Sequence, residues 1–252
     1  MTDTTLPKAM GMPYTQFLTA LHEKFLFDWY LEIGSRKGDS FAPVRGKTIA
    51  VDPFFRLRGN VMNVKRMLIL CQMTSDAFFA ENVLGGLGAR LSFSFLDGMH
   101  LFEYLLRDFI NTEANSLPEG VIALHDCCPY TVAMTTRDLD NLPGGDWTGD
   151  VWKMIPVLKE YRPDLKIQVL DAAPTGLVVV SGLDPRNRVL QDRYDEIVER
   201  FAGTDLAAFG TDRFAELIRF ESAAAVMAKG FPIFRPLGLD PASVVQPKIL
   251  ST

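Results

Sequence analysis

Short hydrophobic runs in the first half of this chain end repeatedly in polar or acidic residues, and no other feature constrains the fold as much. Polar residues at such points mark the C-terminal edge of a parallel sheet, where open α/β sheets bind their ligands. We therefore predict a nucleotide-type binding domain with a reactive centre above it. The residues that end these runs are Glu32 and the loop 34–38, Asp52, Asp97 with His100, and His125 with Asp126.

The composition narrows the class of protein. The formal net charge of −5 argues against a polyanion-binding protein such as a nucleic-acid binder, although it leaves a local basic patch open. No apolar stretch approaches the roughly 18 residues of a membrane span, and the N-terminus lacks the apolar core of a secretion signal. The three cysteines, Cys71, Cys127 and Cys128, offer no ordinary disulfide framework. We therefore expect a cytoplasmic protein without a membrane partner.

Hydrophobic periodicity predicts an alternation of strands and helices, which favours a parallel sheet with right-handed crossovers. The tail from residue 231 is rich in proline and is predicted to be irregular, and residues 118–120 are predicted to form a turn. Residues 129–150 are predicted to form a substrate or lid loop over the sheet edge, in which Trp147 either lines a pocket or anchors the loop. The predicted strands are 30–33, 48–51, 67–71, 91–96, 121–124, 166–170 and 176–181. The predicted helices are 14–29, 77–84, 104–111, 152–161, 190–201 and 213–227.

The connection between the last two predicted strands decides the fold class. Residues 171–175 are too few for a helical crossover, so these two strands must be antiparallel. We expect an α/β protein with a mostly parallel seven-stranded sheet, an antiparallel closing hairpin and helices on both faces. The expected division is an N-terminal helical segment at 1–28, a main domain at 29–183 and a C-terminal helical extension at 184–252.

Four segments, taken in order, resemble class I S-adenosylmethionine-dependent methyltransferases. Within that superfamily the chain is most similar to bacterial small-molecule enzymes such as the macrocin-type O-methyltransferases. The resemblance covers roughly residues 29–181 and implies the family's Rossmann-like fold. The segments that carry it are Leu31-Glu32-Ile33-Gly34 with Gly38, Val51-Asp52-Pro53, the stretch from Phe95 through Asp97-Gly98-Met99-His100, and the stretch from Gly120 to His125-Asp126.

The resemblance implies a cofactor site for S-adenosylmethionine. Glycines 34 and 38 would let the backbone approach the cofactor where a Cβ atom would collide. Arg36 and Lys37 intervene where the family usually has another glycine, which is a departure from the pattern. Asp52 would accept hydrogen bonds from both ribose hydroxyls. The other residues implied in cofactor binding are Glu32, Ser35, Met73, Thr74 and Asp97.

The expected reaction is O-methylation of a small hydroxylated molecule, such as a sugar, a phenol or a secondary metabolite. His100 or His125 would assist deprotonation of the acceptor, and Asp97 would lie beside the transferred methyl group. Related families bind Mg²⁺ after the fourth and fifth strands, so Asp97 and Asp126 are candidate metal ligands. Cys127 occupies the place of the third ligand, and a thiol is a poor ligand for magnesium.

The sequence leaves two other functions open. An NAD-dependent oxidoreductase also places an acid after its second strand, but the closing hairpin and the missing G-x-G-x-x-G motif speak against it. A non-catalytic cofactor-binding protein of the same fold is favoured by the Arg36-Lys37 interruption and by Cys127. The predicted partner is a small-molecule acceptor, with a homodimer left open.

Overall fold

Seven strands form a single sheet in the computed structural model, which describes residues 6–239. Most of the strands are short apolar runs, and most of their residues are buried because helices cover both faces. The strands are β1 (Trp29–Ile33), β2 (Lys47–Val51), β3 (Met67–Cys71), β4 (Leu91–Leu96), β5 (Ser116–His125), β6 (Lys166–Leu170) and β7 (Leu177–Ser181).

The strand order is β3-β2-β1-β4-β5-β7-β6. The pairings from β3 through β5 are parallel, whereas β7 is antiparallel to both β5 and β6. The expected α/β fold, a mostly parallel seven-stranded sheet with an antiparallel closing hairpin, is confirmed. It is the Rossmann-like arrangement that the resemblance to methyltransferases implies, and it brings the carboxyl ends of β1 to β5 to one edge.

Ten α-helices lie in the described residues. They are α1 (Tyr14–Lys24), α2 (Ser75–Ala80), α3 (Val83–Gly86), α4 (Phe102–Ala114), α5 (Met154–Tyr161), α6 (Val189–Asp192), α7 (Tyr194–Ala202), α8 (Leu206–Phe209), α9 (Thr211–Leu217) and α10 (Ala223–Ala228). None of the helices within residues 6–239 is long and apolar enough to cross a membrane.

Two hydrophobic clusters lie on opposite faces of the sheet. The N-terminal helix α1 contributes Phe17 and Leu21 to the cluster that also contains Phe93 of β4. The C-terminal helices contribute Ile197 and Phe214 to the other cluster. The segments on either side of the predicted main domain therefore share their buried surface with the central sheet.

Several predicted helices are shorter or are interrupted. Helix α1 ends at Lys24 rather than at residue 29. The predicted helix 77–84 is broken at Asn82, which has a φ of 50°, and a separate short helix, α3, begins at Val83. The predicted helix 213–227 is divided because the backbone of Glu221 pairs with β6, where its amide donates to the carbonyl of Val169.

The predicted turn at 118–120 is wrong, and the predicted irregular tail is helical over part of its described residues. Residues 118–120 do not form a turn but lie within β5, in an irregularity where the register between β4 and β5 shifts. Pro118 is accommodated there because a bulge does not require its missing N–H group. Residues 232–237 of the tail form a 3₁₀-helix that buries Phe234 and Leu237. Residues 240–252 of the predicted C-terminal extension and residues 1–5 of the N-terminal segment lie outside the described part of the chain.

Candidate functional site

A cleft of about 970 Å³ lies over the carboxyl ends of the parallel strands. It is open on one side, and its size is at the upper end of what small-molecule sites require. Most of the residues predicted for the site line it. These are Gly34, Ser35, Gly38, Asp52, Met73, Thr74, Asp97, His100, His125 and Asp126.

Gly34 is required by the packing of the chain itself. It has a φ of +86°, and a Cβ atom on it would lie 1.9 Å from the carbonyl oxygen of Asp97. The amide of Asp97 donates to the carbonyl of Ile33 at 2.9 Å, so the ends of β1 and β4 are held in direct contact. The sequence-based explanation, that a side chain would displace the cofactor, is therefore incomplete, because the first collision is with β4.

Glu32 lies beneath the cleft and does not line it. The Tyr30 hydroxyl donates to Oε2 at 2.6 Å, and the Ser40 hydroxyl donates to Oε1 at 2.7 Å. Burial raises the pKa of this carboxyl to about 7, against the opposing effect of these hydrogen bonds. In this structure Glu32 therefore binds the protein's own hydroxyls and supports the floor of the cleft.

Asp52 follows β2 and fixes the loop after β1. Its Oδ2 accepts a hydrogen bond from the amide of Arg36 at 2.8 Å, and its Oδ1 accepts one from the amide of Phe54 at 2.7 Å. A carboxylate oxygen has a second lone pair, so both oxygens can still accept a hydrogen bond from a ligand. Further along the sheet edge, Thr74 caps α2 by accepting from the amide of Ala77 at 3.2 Å.

Two carboxylates and two imidazoles meet at the ends of β4 and β5. His125 Nδ1 lies 3.0 Å from Asp97 Oδ1 and 3.3 Å from Asp126 Oδ2. His100 Nε2 lies 3.1 Å from Asp126 Oδ2 and 3.6 Å from Asp97 Oδ1. The other ring nitrogen of His100, Nδ1, lies 3.0 Å from the carbonyl oxygen of Trp147, to which it can donate. Four residues that the sequence marked as site candidates are thus in mutual contact.

The electrostatics of this cluster favour charged imidazoles. Burial lowers the pKa of His125, but the charges of Asp97 and Asp126 outweigh burial and raise it well above its usual value. The pKa of His100 is raised in the same way by its bonds and proximity to the two carboxylates. The two histidines in turn hold the pKa of Asp97 below its usual value despite its burial. The pair of carboxylates therefore favours the protonated form of both imidazoles, and most strongly that of His125.

Asp126 and Thr175 join the cluster to the closing hairpin. The hydroxyl of Thr175 donates to Asp126 Oδ1 at 2.7 Å and lies 3.5 Å from His125 Nε2. Asp126 has a φ of 57°, a left-handed conformation that turns its carboxylate back toward the strand ends. The sequence did not mark Thr175, because it sits in a short connection without a recognisable motif.

Tyr14 of α1 is a second residue that the sequence did not predict for the site. Its ring centroid lies 4.0 Å from that of His125, and it lines the cleft. The amide of Tyr14 donates to the carbonyl of Ala173 at 3.0 Å, which places the start of α1 beside the closing hairpin. Burial and the nearby carboxylates raise the pKa of this phenol, so it stays protonated.

The structure also shows where Trp147 and Cys127 lie relative to the cleft. Trp147, which the sequence left open between pocket and anchor, does both, because it lines the cleft with its ring centroid 5.0 Å from that of His100 and its indole N–H donates to the carbonyl of Thr136 at 2.9 Å. Cys127 is fully buried and donates to the carbonyl of His125 at 3.4 Å. It does not line the cleft, so its thiol is not placed to bind a metal there.

Asp97, His100 and Asp126 can be arranged around one metal ion. One oxygen or nitrogen atom from each lies within 4.8 Å of the others. A metal-binding histidine usually donates its second ring nitrogen to a carbonyl or carboxylate, and Nδ1 of His100 faces the Trp147 carbonyl in that manner. The sequence predicted the two carboxylates as ligands but not the imidazole.

Comparison with known proteins gives structural likeness only. No family model matches the chain, and no curated protein matches it. An O-methyltransferase from Bacillus cereus in complex with SAH is 14% identical, with a TM-score of 0.47 over 69% of this chain and 83% of that one. A putative O-methyltransferase from Klebsiella pneumoniae is 16% identical, with a TM-score of 0.44 over 70% and 83%. The MycE methyltransferase of mycinamycin biosynthesis, with Mg, SAH and mycinamycin VI, is 13% identical, with a TM-score of 0.43 over 69% and 48%. At these values the likeness does not settle an activity.

Proposed function

We propose that this chain is an S-adenosylmethionine-dependent methyltransferase that methylates a hydroxyl group of a small molecule. The observation that carries the proposal is one continuous cleft with two chemically different ends. The carboxylate of Asp52 lies in one part of it, and the cluster of Asp97, His100, His125 and Asp126 lies in another. The strand order of the sheet is the one in which such a site occurs.

The residues present fit the cofactor. Each oxygen of Asp52 accepts one backbone hydrogen bond and can accept one more, which suits two adjacent ribose hydroxyls. Met73 and Thr74 line the next part of the sheet edge, where adenine would lie. Glu32, which was predicted to bind the cofactor directly, would instead hold the loop after β1 in place through its hydrogen bond with Ser40. When bound, S-adenosylmethionine would supply a methyl group on a positively charged sulfur.

The histidines would act on the acceptor hydroxyl. Asp97 holds Nδ1 of His125, so its Nε2 is the nitrogen that can take the acceptor's proton. A positive charge placed against Asp97 and Asp126 would oppose the effect that raises the pKa of His125, and would favour the neutral imidazole that a base requires. The cleft would hold the acceptor in line with the methyl group, and such alignment supplies much of the rate.

A metal-assisted form of the same reaction is the second candidate, and the arrangement of His100 favours it. Asp97, His100 and Asp126 would hold a divalent cation that lowers the pKa of the acceptor hydroxyl. A set with one nitrogen and two oxygen donors suits Mn²⁺ or Zn²⁺ as well as Mg²⁺. In this form His100 is a ligand, and His125 alone remains as the base.

We also propose the setting in which the enzyme works. The acceptor is a small molecule rather than a nucleic acid or a membrane component, in keeping with the net charge of −5. The chain would act in the bacterial cytoplasm, as the resemblance and the cysteine content suggest, and a homodimer remains compatible with it. The oxidoreductase alternative is disfavoured by β7, which lies antiparallel between β5 and β6.

Calorimetry with S-adenosylhomocysteine tests the proposal. Wild-type protein should bind it with micromolar affinity, and Asp52→Ala should weaken binding by roughly 1.5–3 kcal/mol through lost charge-assisted hydrogen bonds. Asp146→Asn is the matched control, since Asp146 also lines the cleft but is exposed at its rim. Folded protein that gives no heat with this ligand, or that instead binds NADH, would exclude the methyltransferase.

A further inference from the structure

Positive charge is concentrated in one part of this acidic protein. Residues 36–66 carry eight lysines and arginines against two aspartates, whereas the whole chain has a net charge of −5. This segment runs from the loop after β1 to the start of β3. Its first part borders the cleft, because Arg36 and Lys37 are among the lining residues.

Two stretches of this segment lie side by side. The amide of Arg56 donates to the carbonyl of Arg36 at 2.7 Å, and the amide of Arg58 donates to the carbonyl of Lys37 at 3.0 Å. Four cationic residues are therefore fixed next to one another by backbone bonds. We call Arg36, Lys37, Arg56 and Arg58 the cationic row.

The four side chains of the row are exposed, and none makes an ion pair or a side-chain hydrogen bond with the described residues. The carboxylate of Asp52, which also lines the cleft, accepts hydrogen bonds from the amides of Arg36 and Phe54 rather than from a guanidinium. Seven other arginines, by contrast, each form an ion pair with a carboxylate. Those paired arginines are Arg107, Arg137, Arg162, Arg186, Arg188, Arg193 and Arg200.

The charge of the row is complementary to a multiply charged anion. Four adjacent cations repel one another, and an anion bound between them offsets this electrostatic repulsion. Guanidinium groups bind phosphate oxygens through two parallel hydrogen bonds, which favours phosphate. The amino-acid end of the proposed cofactor has one carboxylate beside an ammonium group, so it would not match the whole row. The inner cleft lacks such an excess of positive charge, because Asp97 and Asp126 lie against His125 and His100 there, so an anionic group is better placed at the rim.

We infer that the cationic row binds a phosphate or diphosphate group carried by the methyl acceptor. This inference rests on the proposed methyltransferase function and specifies its substrate class as phosphorylated or nucleotide-linked hydroxyl compounds. The anionic group would anchor the acceptor at the mouth of the cleft while its hydroxyl reaches the histidines.

The probe for this inference is inorganic pyrophosphate, titrated calorimetrically into the full chain with and without S-adenosylhomocysteine. Wild-type protein should bind pyrophosphate, and added salt should weaken that binding. The double variant Arg56→Gln/Arg58→Gln should weaken it at least about tenfold, as expected for lost charge-assisted bonds. Arg213→Gln/Arg219→Gln is the matched control, because it removes two exposed cations elsewhere on the chain.

The outcomes separate this inference from the function on which it rests. Both double variants should bind S-adenosylhomocysteine as the wild type does. No pyrophosphate binding, or equal weakening in the two double variants, would overturn the phosphate site. Loss of S-adenosylhomocysteine binding in Arg56→Gln/Arg58→Gln would overturn it as well, because the row would then serve the cofactor. Wild type that binds pyrophosphate but not S-adenosylhomocysteine would refute the methyltransferase while retaining an anion site.

Discussion

The imidazole of His125 is held by the carboxylate of Asp97, with Nδ1 of the histidine 3.0 Å from Oδ1 of the aspartate. These two residues end neighbouring strands, β5 and β4, and are 28 residues apart in the sequence. The contact directs Nδ1 toward Asp97 and leaves Nε2 on the other side of the ring, 3.5 Å from the hydroxyl oxygen of Thr175. It also couples the protonation of His125 to the charge in the cleft.

Removing the charge of Asp97 should lower the pKa of His125. Asp97→Asn keeps the size of the side chain but loses the negative charge that raises this pKa. The chain has three histidines, and burial lowers the pKa of His22 to about 3. Only His100 and His125 should therefore titrate well above pH 3, which simplifies the assignment of the signals. NMR titration of the ring protons measures the shift. Asp146→Asn is the control, and an unchanged His125 titration in Asp97→Asn would contradict the coupling.

Replacing His125 should reduce turnover without loss of the cofactor. Once an acceptor is known, His125→Ala should lower kcat by about 10²–10⁴, the usual contribution of a general base. S-adenosylhomocysteine affinity, measured by calorimetry, should stay close to that of the wild type. His100→Ala is the comparison variant. If His100 is a metal ligand, a higher concentration of divalent cation should restore part of the lost activity, whereas if it is a base, added cations should not restore it. Full activity of the double variant would remove both histidines from the mechanism.

A divalent cation should stabilise the protein if the second candidate mechanism holds. Binding to the folded state alone raises the melting temperature, so Mn²⁺ or Zn²⁺ should raise it in the wild type. His100→Ala and Asp126→Asn should each reduce that rise, because each removes one of the three candidate ligands. Differential scanning fluorimetry with and without chelator measures it. An equal rise in all three proteins would place the cation elsewhere.

Gly34→Ala should destabilise the fold itself. The new Cβ atom would lie 1.9 Å from the Asp97 carbonyl oxygen, at a backbone φ of +86°. We expect a loss above about 3 kcal/mol in the free energy of unfolding, since strained backbone and steric overlap add. Urea denaturation measures it. Gly144→Ala is the control, because a Cβ atom there has no neighbour within 4 Å. Equal stability of the two variants would mean that β1 and β4 can separate.

The stability of the protein should fall as pH rises through the range in which Glu32 ionises. Its pKa is raised from 4.5 to about 7 by burial, so the unfolded chain loses this proton at lower pH than the folded chain does. The free energy of unfolding therefore decreases between about pH 4.5 and 7. Asp108 acts in the same direction, since burial raises its pKa from 3.8 to about 7.

Glu32→Gln should flatten this decrease and make the protein more stable than the wild type at pH 7. Glu32→Gln/Asp108→Asn should flatten it further. Urea denaturation at several pH values between 4 and 8 measures the slope. A slope that is the same in the wild type and in Glu32→Gln would show that Glu32 ionises normally in the folded protein.

The sequence by itself determined the strand positions, the antiparallel hairpin and the edge of the sheet that carries the site. These depend on local regularities, namely short apolar runs, the polar residues that end them and a five-residue connection. Asp52, Asp97, His100, His125 and Asp126 follow from that logic, because parallel strands bring their carboxyl ends together.

Only the tertiary structure decided which side chains face the cleft and what state they are in. Glu32 was predicted to bind the cofactor from its position before Gly34, yet Tyr30 and Ser40 bond both of its oxygens. Tyr14 enters the site because its helix is held against the closing hairpin, a contact between distant parts of the chain. The charged state of His125 depends on two carboxylates at about 3 Å. Strand ends are set by local sequence, whereas burial, pairing and protonation are set by atoms that folding brings together.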